Sequence, residues 1–444
     1  MHFQEPKNVL TQHKMERKFS SDLLKWKKSP KRMPLIVTGA RQVGKTYGLL
    51  SFGKNEYKNT VYLNFEDNRL LHQIFERDLN TERILKELSD ISGETIFKEE
   101  SLIIFDEIQS CERALTSLKY FCENAPEYHI AAAGSLLGVT LNRSQFSFPV
   151  GKVDRLTIYP LDFEEFLWAI NKKAGADMLR ECFEKNEACN LHEIYLDIYK
   201  TYLFVGGMPQ VVNEYIDNKD YNTISIIQKN INDAYIADMV KYASPVETSK
   251  ILAAFNSIPA QLAKENRKFQ YKIIKTGARA YDFEFSLDWL KAAGIVHKCV
   301  KTKEGKFPLD LFAVPDFFKI YLSDTGLLSV KYNLPAHILL SEFSGFDNIK
   351  GALAENYILS SLIRNDYNPF YWESEGKAEV DFVIQNKNGE IIPIEVKSSQ
   401  HTRSRSLNQF ISKYKPPYSI RFSTKNFGFE NDVKSVPLYA AFCL

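Results

Sequence analysis

The stretch "GARQVGKT", residues 39–46, constrains this chain more than any other feature. It fits the spacing G-x-x-x-x-G-K-[ST], it follows the short apolar run "LIVT", and it opens the helical pattern "GKTYGLLSF". Strand, glycine loop and helix in that order form an anion seat. Gly39 and Gly44 permit a tight turn whose backbone N–H groups converge. The following helix adds its N-terminal N–H groups and the positive end of its dipole. Lys45 can reach the outer phosphates of a nucleotide, and Thr46 can offer its hydroxyl to Mg2+. Gly39, Ala40, Arg41, Gln42, Val43, Gly44, Lys45 and Thr46 are therefore the expected contacts for ATP and Mg2+. A glycine-containing turn with a chance lysine is the bland alternative, and the flanking strand and helix weigh against it.

A phosphate loop needs a parallel sheet behind it, and the next 120 or so residues supply the pattern. Buried runs "TVYLNFE", "SLIIFDE", "HIAAAGS" and "DRLTIYP" follow, with a helical stretch from about Arg113 to Cys122. The expected fold class is α/β, a P-loop parallel sheet with helices on both faces. "SLIIFDE" ends on adjacent carboxylates, Asp106 and Glu107. The carboxyl end of a parallel strand is where ligands bind. Asp106 there would hold Mg2+, and Glu107 would activate the attacking water. Ser135, closing "IAAAGS", is a candidate contact to the γ-phosphate or that water, with an ordinary turn serine as the alternative. Arg143, Arg155 and Arg279 are candidates for an arginine finger, and the sequence assigns none of them.

At 444 residues the chain is too long for one ordinary core. The net charge of +2 gives no global attraction to nucleic acid or anionic membrane, so such binding would need a local patch. No run approaches the roughly 18 consecutive apolar residues of a membrane span, and the N-terminus lacks the apolar centre of a signal peptide. The 6 cysteines show no paired spacing. A cytoplasmic protein with free thiols and no membrane partner is expected.

The expected organisation is a helical lead-in over 1–30, the P-loop core over 31–160, a helical lid over 161–245, a winged helix over 246–332 and a C-terminal α/β domain over 333–444. Gly206-Gly207 before Pro209 marks a turn between lid helices. "SLDWLKAAGIVHKCVKT" passes from helix through Gly294 into a strand, as in a winged helix.

The motifs "PLIVTGARQVGKT", "LIIFDEIQ", "AGSLLG", "FPVGKV", "YPLDFEEFL", "VGGMPQVV" and "EVDFVI…IPIEVKSS" occur in that order. Together they resemble the bacterial and archaeal AAA-type ATPases that carry a C-terminal domain of unknown function, over roughly Arg17 to Tyr439. The resemblance implies an ATPase core, a helical lid, a winged helix and a C-terminal restriction-endonuclease-like domain of the PD-(D/E)xK type.

The implied winged helix raises DNA as a partner. Lys264, Arg267, Lys268, Lys272 and Lys275 could touch phosphates. The third helix, about Ala278 to Ala293, carries Asp282, Glu284 and Asp288 against Arg279 and Lys291, which suits a structural lid better than a major-groove reader. In the C-terminal part, Asp381 precedes the turn Asn386–Gly389, and Glu395 and Lys397, two apart, share a face of the returning strand. With Glu355 on the helix "GALAENYIL", these are the residues a PD-(D/E)xK nuclease needs. Glu355, Asp381 and Glu395 would bind Mg2+, and Lys397 would stabilise developing charge. Val380 stands where that motif has proline. A solvated strand face is the alternative for Glu395 and Lys397. From Lys397 to Arg421 the chain has Lys and Arg but no Asp or Glu, which fits either a phosphate track or a solvated face. Three functions follow as expectations: an ATPase that moves its appended domains, a DNA-processing nuclease gated by ATP, or a nucleotide-switched binding protein with an inactive nuclease fold. A homo-oligomer or a protein partner fits each of them.

Overall fold

A computed structural model of the chain describes residues 15–135, 137–141, 150–265, 267–340, 346–374, 378–398 and 405–444. It divides into two compact units. The first is 1–159 with 292–294, and the second is 160–291 with 295–444.

The first unit is built on a 5-stranded sheet. Its strands are β1 (Leu35–Thr38), β2 (Asn59–Asn64), β3 (Ser101–Asp106), β4 (His129–Ala133) and β5 (Asp154–Thr157). The order is β2-β3-β4-β1-β5, and every pairing is parallel. β3 and β4 are buried at every position, as the continuous apolar runs require for strands covered on both faces. Helices Arg69–Arg77, Thr81–Ser92 and Glu112–Asn124 cover this sheet with Leu71, Phe75, Leu88, Leu115 and Phe121. The first two begin on asparagine caps, Asn68 and Asn80, whose side chains accept from Leu70 and Arg83 N–H groups. Neither helix is among the sequence expectations. Helix Lys18–Lys28 lies within the expected lead-in, and its residue Phe19 packs against Gly48 of helix Lys45–Glu56. Residues 1–14 lie outside the described residues.

In the second unit helices run from Phe163 to Leu262. Met208 precedes helix Pro209–Asp217, which starts on proline, a residue that needs no N–H there. Gly206, at φ 74, and Gly207 turn the chain before it. Gly207 N–H donates to the buried Asp324 carboxylate at 2.7 Å, and a methyl on Gly207 would lie 1.9 Å from the Leu161 carbonyl oxygen. "VGGMPQ" is thus a close-packed junction of this unit.

Helices Pro245–Leu262, Tyr271–Ile274 and Ala280–Ala292 precede an antiparallel pair, β6 (Val296–Thr302) and β7 (Ala313–Leu322). That pair does not stand alone. β6 pairs with β8 (Phe370–Glu373), which continues into β9 (Glu379–Gln385), β10 (Ile391–Val396), β11 (Ser419–Ser423), β12 (Gly428–Glu430) and β13 (Val433–Pro437). One 8-stranded sheet results, ordered β12-β13-β11-β10-β9-β8-β6-β7. The expected division at 332/333 falls between strands of this single sheet. Trp372, Val380, Val383 and Phe410 form a core on it, so Trp372 is a packing residue. No helix among the described residues is long and apolar enough to cross a membrane.

Candidate functional site

The loop 39–46 joins β1 to helix Lys45–Glu56. Gly39 has φ 140, and a methyl there would lie 2.2 Å from the Ile158 carbonyl oxygen. Gly44, at φ 96, caps the helix in a left-handed conformation that other residues enter only at a cost. The glycines are therefore required by backbone geometry. Lys45 is buried, with Nζ 2.9 Å from the Gly39 carbonyl oxygen and 2.7 Å from that of Ala40. Arg17, from outside the motif, donates to the Val43 carbonyl at 3.2 Å and to the Tyr159 carbonyl at 2.7 Å, which braces the loop from behind.

Parallel pairing carries the end of β3 to the loop. Thr46 Oγ1 donates to Asp106 Oδ2 at 2.8 Å, although the two are 60 residues apart. Tyr62, on β2, donates to the same oxygen at 2.9 Å, and the Glu107 N–H donates to Asp106 Oδ1 at 3.0 Å. Burial raises the Asp106 carboxyl above its usual range, and the Thr46 hydrogen bond opposes that rise. Thr46 and Asp106 are hard oxygen donors set side by side, a fit for Mg2+. Glu107 follows with φ 49, a left-handed conformation unusual for a glutamate. Its Oε2 accepts from the Gln109 amide and lies 3.4 Å from both the N–H and the hydroxyl of Ser135. Ser135, expected at the phosphate or the water, meets the carboxylate that would activate the water. Arg143 lies outside the described residues. Arg155 sits on β5, and Arg279 precedes helix Ala280–Ala292, where its N–H donates to Asp282.

In the second unit the β9–β10 hairpin pairs Ile394 with Phe382, which sets Glu395 opposite Asp381 one step on, on one face of the sheet. The Val396 N–H donates to Asp381 Oδ2 at 2.8 Å. Lys397 Nζ lies 3.1 Å from Glu395 Oε1. The Arg421 guanidinium, on the neighbouring strand β11, lies 3.4 Å from Glu395 Oε2. Glu355 comes from helix Asp347–Arg364 and is buried. It is ion-paired to Arg267, accepts from the Tyr321 hydroxyl at 3.0 Å, and has Lys319 Nζ at 3.9 Å. Lys319, fully buried on β7, also meets Glu379 at 2.5 Å.

This charge balance departs from the expected metal centre. Among the described residues no group of three or more His, Cys, Asp or Glu side chains is placed to hold a metal ion. The set Glu355, Asp381 and Glu395 does not fit Mg2+ in this arrangement, because cations outside the expected set already hold its acids: Arg267 and Lys319 on Glu355, and Arg421 on Glu395. Burial would raise the Glu355 carboxyl, but the Arg267 and Lys319 charges outweigh it and hold it below the usual range. Asp381 is pushed the other way, up to about 7, by burial and then by the Glu355 charge. Lys397 is raised despite burial, by Glu395 and Asp381. Arg267 and Lys268, read from sequence as phosphate contacts, instead turn inward. Lys268 pairs with Glu373, which also takes Lys301 at 2.9 Å. No spacing rule could have linked Arg267 to Glu355, which are 88 residues apart.

Comparison with known proteins matches three separate stretches of the chain. Residues 31–167 match the model of an AAA domain. Residues 196–337 and 350–441 match two domains of unknown function, DUF8612 and DUF4143. An uncharacterized protein of Methanocaldococcus jannaschii, MJ1637, is 25% identical over 252 residues, 52% of this chain and 52% of that protein. The chain thus spans about half the length of the curated relative it matches. Among solved structures, the Walker-type ATPase PABY2304 of Pyrococcus abyssi aligns over 72% of this chain and 96% of its own, at 16% identity and a TM-score of 0.44. The ORC1 protein of Aeropyrum pernix, solved in complex with DNA, aligns over 76% and 97%, at 12% identity and a TM-score of 0.32. The family-model match over 31–167, on the same residues that carry the parallel sheet, the glycine loop and the Thr46–Asp106 pair, makes this part of the chain an AAA-type ATPase-like domain.

Proposed function

We propose that the protein binds Mg·ATP at residues 39–46 and hydrolyses it, and that this cycle moves a winged-helix segment and a nuclease-like C-terminal region. The observation that carries the proposal is the meeting of Thr46 and Asp106 at 2.8 Å beside Glu107. The loop N–H groups and Lys45 hold the β- and γ-phosphates, and Lys45 exchanges its carbonyl partners for phosphate oxygens. Thr46 and Asp106 would hold Mg2+, which when bound draws charge off the phosphate oxygens. Glu107 accepts the proton of the attacking water. The test is nucleotide binding and phosphate release by the full chain and by Lys45→Ala. Binding of Mg·ATP that is lost in a folded Lys45→Ala protein supports the proposal, and unchanged affinity in that variant sinks it.

For the C-terminal region, the nuclease-like reading draws support from the β9–β10 register and the Glu395–Lys397 pair. The ion pair of Arg267 on Glu355 favours a binding surface switched by nucleotide over a cutting site. Mg2+-dependent cleavage of single- or double-stranded DNA, lost in both Asp381→Ala and Lys397→Ala, would reverse that preference.

A further inference from the structure

The Glu107 carboxylate is held asymmetrically. Oε2 takes the Gln109 amide and lies within 3.4 Å of two donors of Ser135. Among the described residues Oε1 takes no hydrogen bond. Gln109 reaches Oε2 from the short helical turn Ile108–Ser110 by lying directly over Gly134, where a methyl would sit 1.8 Å from Gln109 Oε1. That amide oxygen is buried and has no hydrogen-bond partner among the described residues, a desolvation cost that the arrangement bears. Glu107 itself is in a left-handed backbone conformation. Strain at the carboxylate-bearing residue and an unsatisfied polar atom on its partner persist only where the surroundings enforce them.

We propose that Gln109 is a positioning residue for ATP hydrolysis, one that anchors Glu107 Oε2 and so leaves Oε1 to receive the proton of the attacking water. This rests on the reading of Glu107 as the base. In the step, the water oxygen forms a bond to the γ-phosphorus and the bond from that phosphorus to the β–γ bridging oxygen breaks. The electron pair leaves with ADP, and the water's proton passes to Glu107 Oε1, giving ADP, phosphate and a protonated carboxyl. An unanchored glutamate would sample rotamers that present neither oxygen correctly. Gly134 leaves room for this contact, because a methyl there would meet Gln109 Oε1 and displace the amide.

The experiment uses the full chain and compares Gln109→Leu, Gly134→Ala, Glu107→Gln and the double variant Glu107→Gln/Gln109→Leu. Steady-state kcat and the Kd of a fluorescent ATP analogue with Mg2+ are measured for each. Gln109→Leu is expected to lower kcat about tenfold or more while Kd stays within about twofold, the split that marks loss of a group acting only in the hydrolytic step. Gly134→Ala, which keeps the amide but displaces it, moves kcat in the same direction. The double variant falls no further than Glu107→Gln alone, because Gln109 acts through Glu107. Gln109→Leu with kcat near the parental value, beside a Glu107→Gln protein that has lost hydrolysis, overturns the role of Gln109 and leaves the ATPase reading intact. Weakened nucleotide binding in Gln109→Leu, or an extra loss in the double variant, also overturns it, since either marks a purely structural residue. A Glu107→Gln protein as fast as the parent overturns the assignment of the base itself.

Discussion

Removing the Arg267 side chain tests the charge balance of the second unit most directly. The Arg267 and Glu355 side chains are 17% and 2% exposed, so their ion pair is a buried one. Arg267→Ala leaves the Glu355 carboxylate with the Tyr321 hydroxyl at 3.0 Å and Lys319 Nζ at 3.9 Å. Breaking a buried pair by deleting one partner costs about 3–5 kcal/mol, because the other charge stays desolvated. The remaining contacts to Glu355 place this case near the lower end, about 3 kcal/mol. Trp168, Trp289 and Trp372 belong to the second unit and Trp26 to the first, so urea unfolding followed by tryptophan fluorescence reports mainly the second. The midpoint should fall at unchanged slope. Glu355→Gln in the same background removes the stranded charge while keeping its size, so the double variant should recover about 2 kcal/mol relative to Arg267→Ala. A loss below about 1 kcal/mol in Arg267→Ala, or strict additivity of the two substitutions, would refute the reasoning, since both require the pair to be uncoupled.

Three further outcomes are expected. Burial and then the Glu355 charge push the Asp381 carboxyl up to about 7 from an ordinary value of 3.8, so the folded state binds the extra proton between these limits and stability falls as pH rises through that window, by at most about 1.4 kcal/mol for each pH unit crossed; Asp381→Asn should flatten this fall in urea midpoints measured from pH 4 to 7, and an unchanged profile refutes it. Gly39→Ala forces a methyl to within 2.2 Å of the Ile158 carbonyl oxygen, so it should lower the melting temperature and abolish binding of Mg·ATP, and retained binding counts against the loop geometry. Thr46→Val should keep the loop folded but weaken nucleotide binding more in Mg2+ than in EDTA, by about tenfold, and equal losses in both would remove Thr46 from the cation's neighbourhood.

The sequence by itself determined the first unit's strands and its loop. Eight residues of glycine-rich loop, an apolar run before them and a helix after them are local patterns, and local patterns specify strand, turn and N-terminus without reference to the rest of the chain. The same holds for the end of β3, where a buried run terminating in Asp106 and Glu107 can only present its carboxylates at the sheet's carboxyl edge. The β9–β10 hairpin is equally legible, since alternation and the turn at Gly389 fix which residues face each other. Helices Arg69–Arg77 and Thr81–Ser92 escape the sequence reading although their asparagine caps are local signals. What only the tertiary structure decided is the partner of each charge. Arg267 reads as a surface cation and is an internal counter-ion, Lys319 is unremarkable in its strand and is buried between two acids, and Gln109, though it closes the motif "LIIFDEIQ", carries nothing there that names Glu107 as its partner. The physical reason is that a charge is satisfied by proximity in space, and segments 88 residues apart are brought together by packing of the whole unit, which no periodicity of 2 or 3.6 residues encodes.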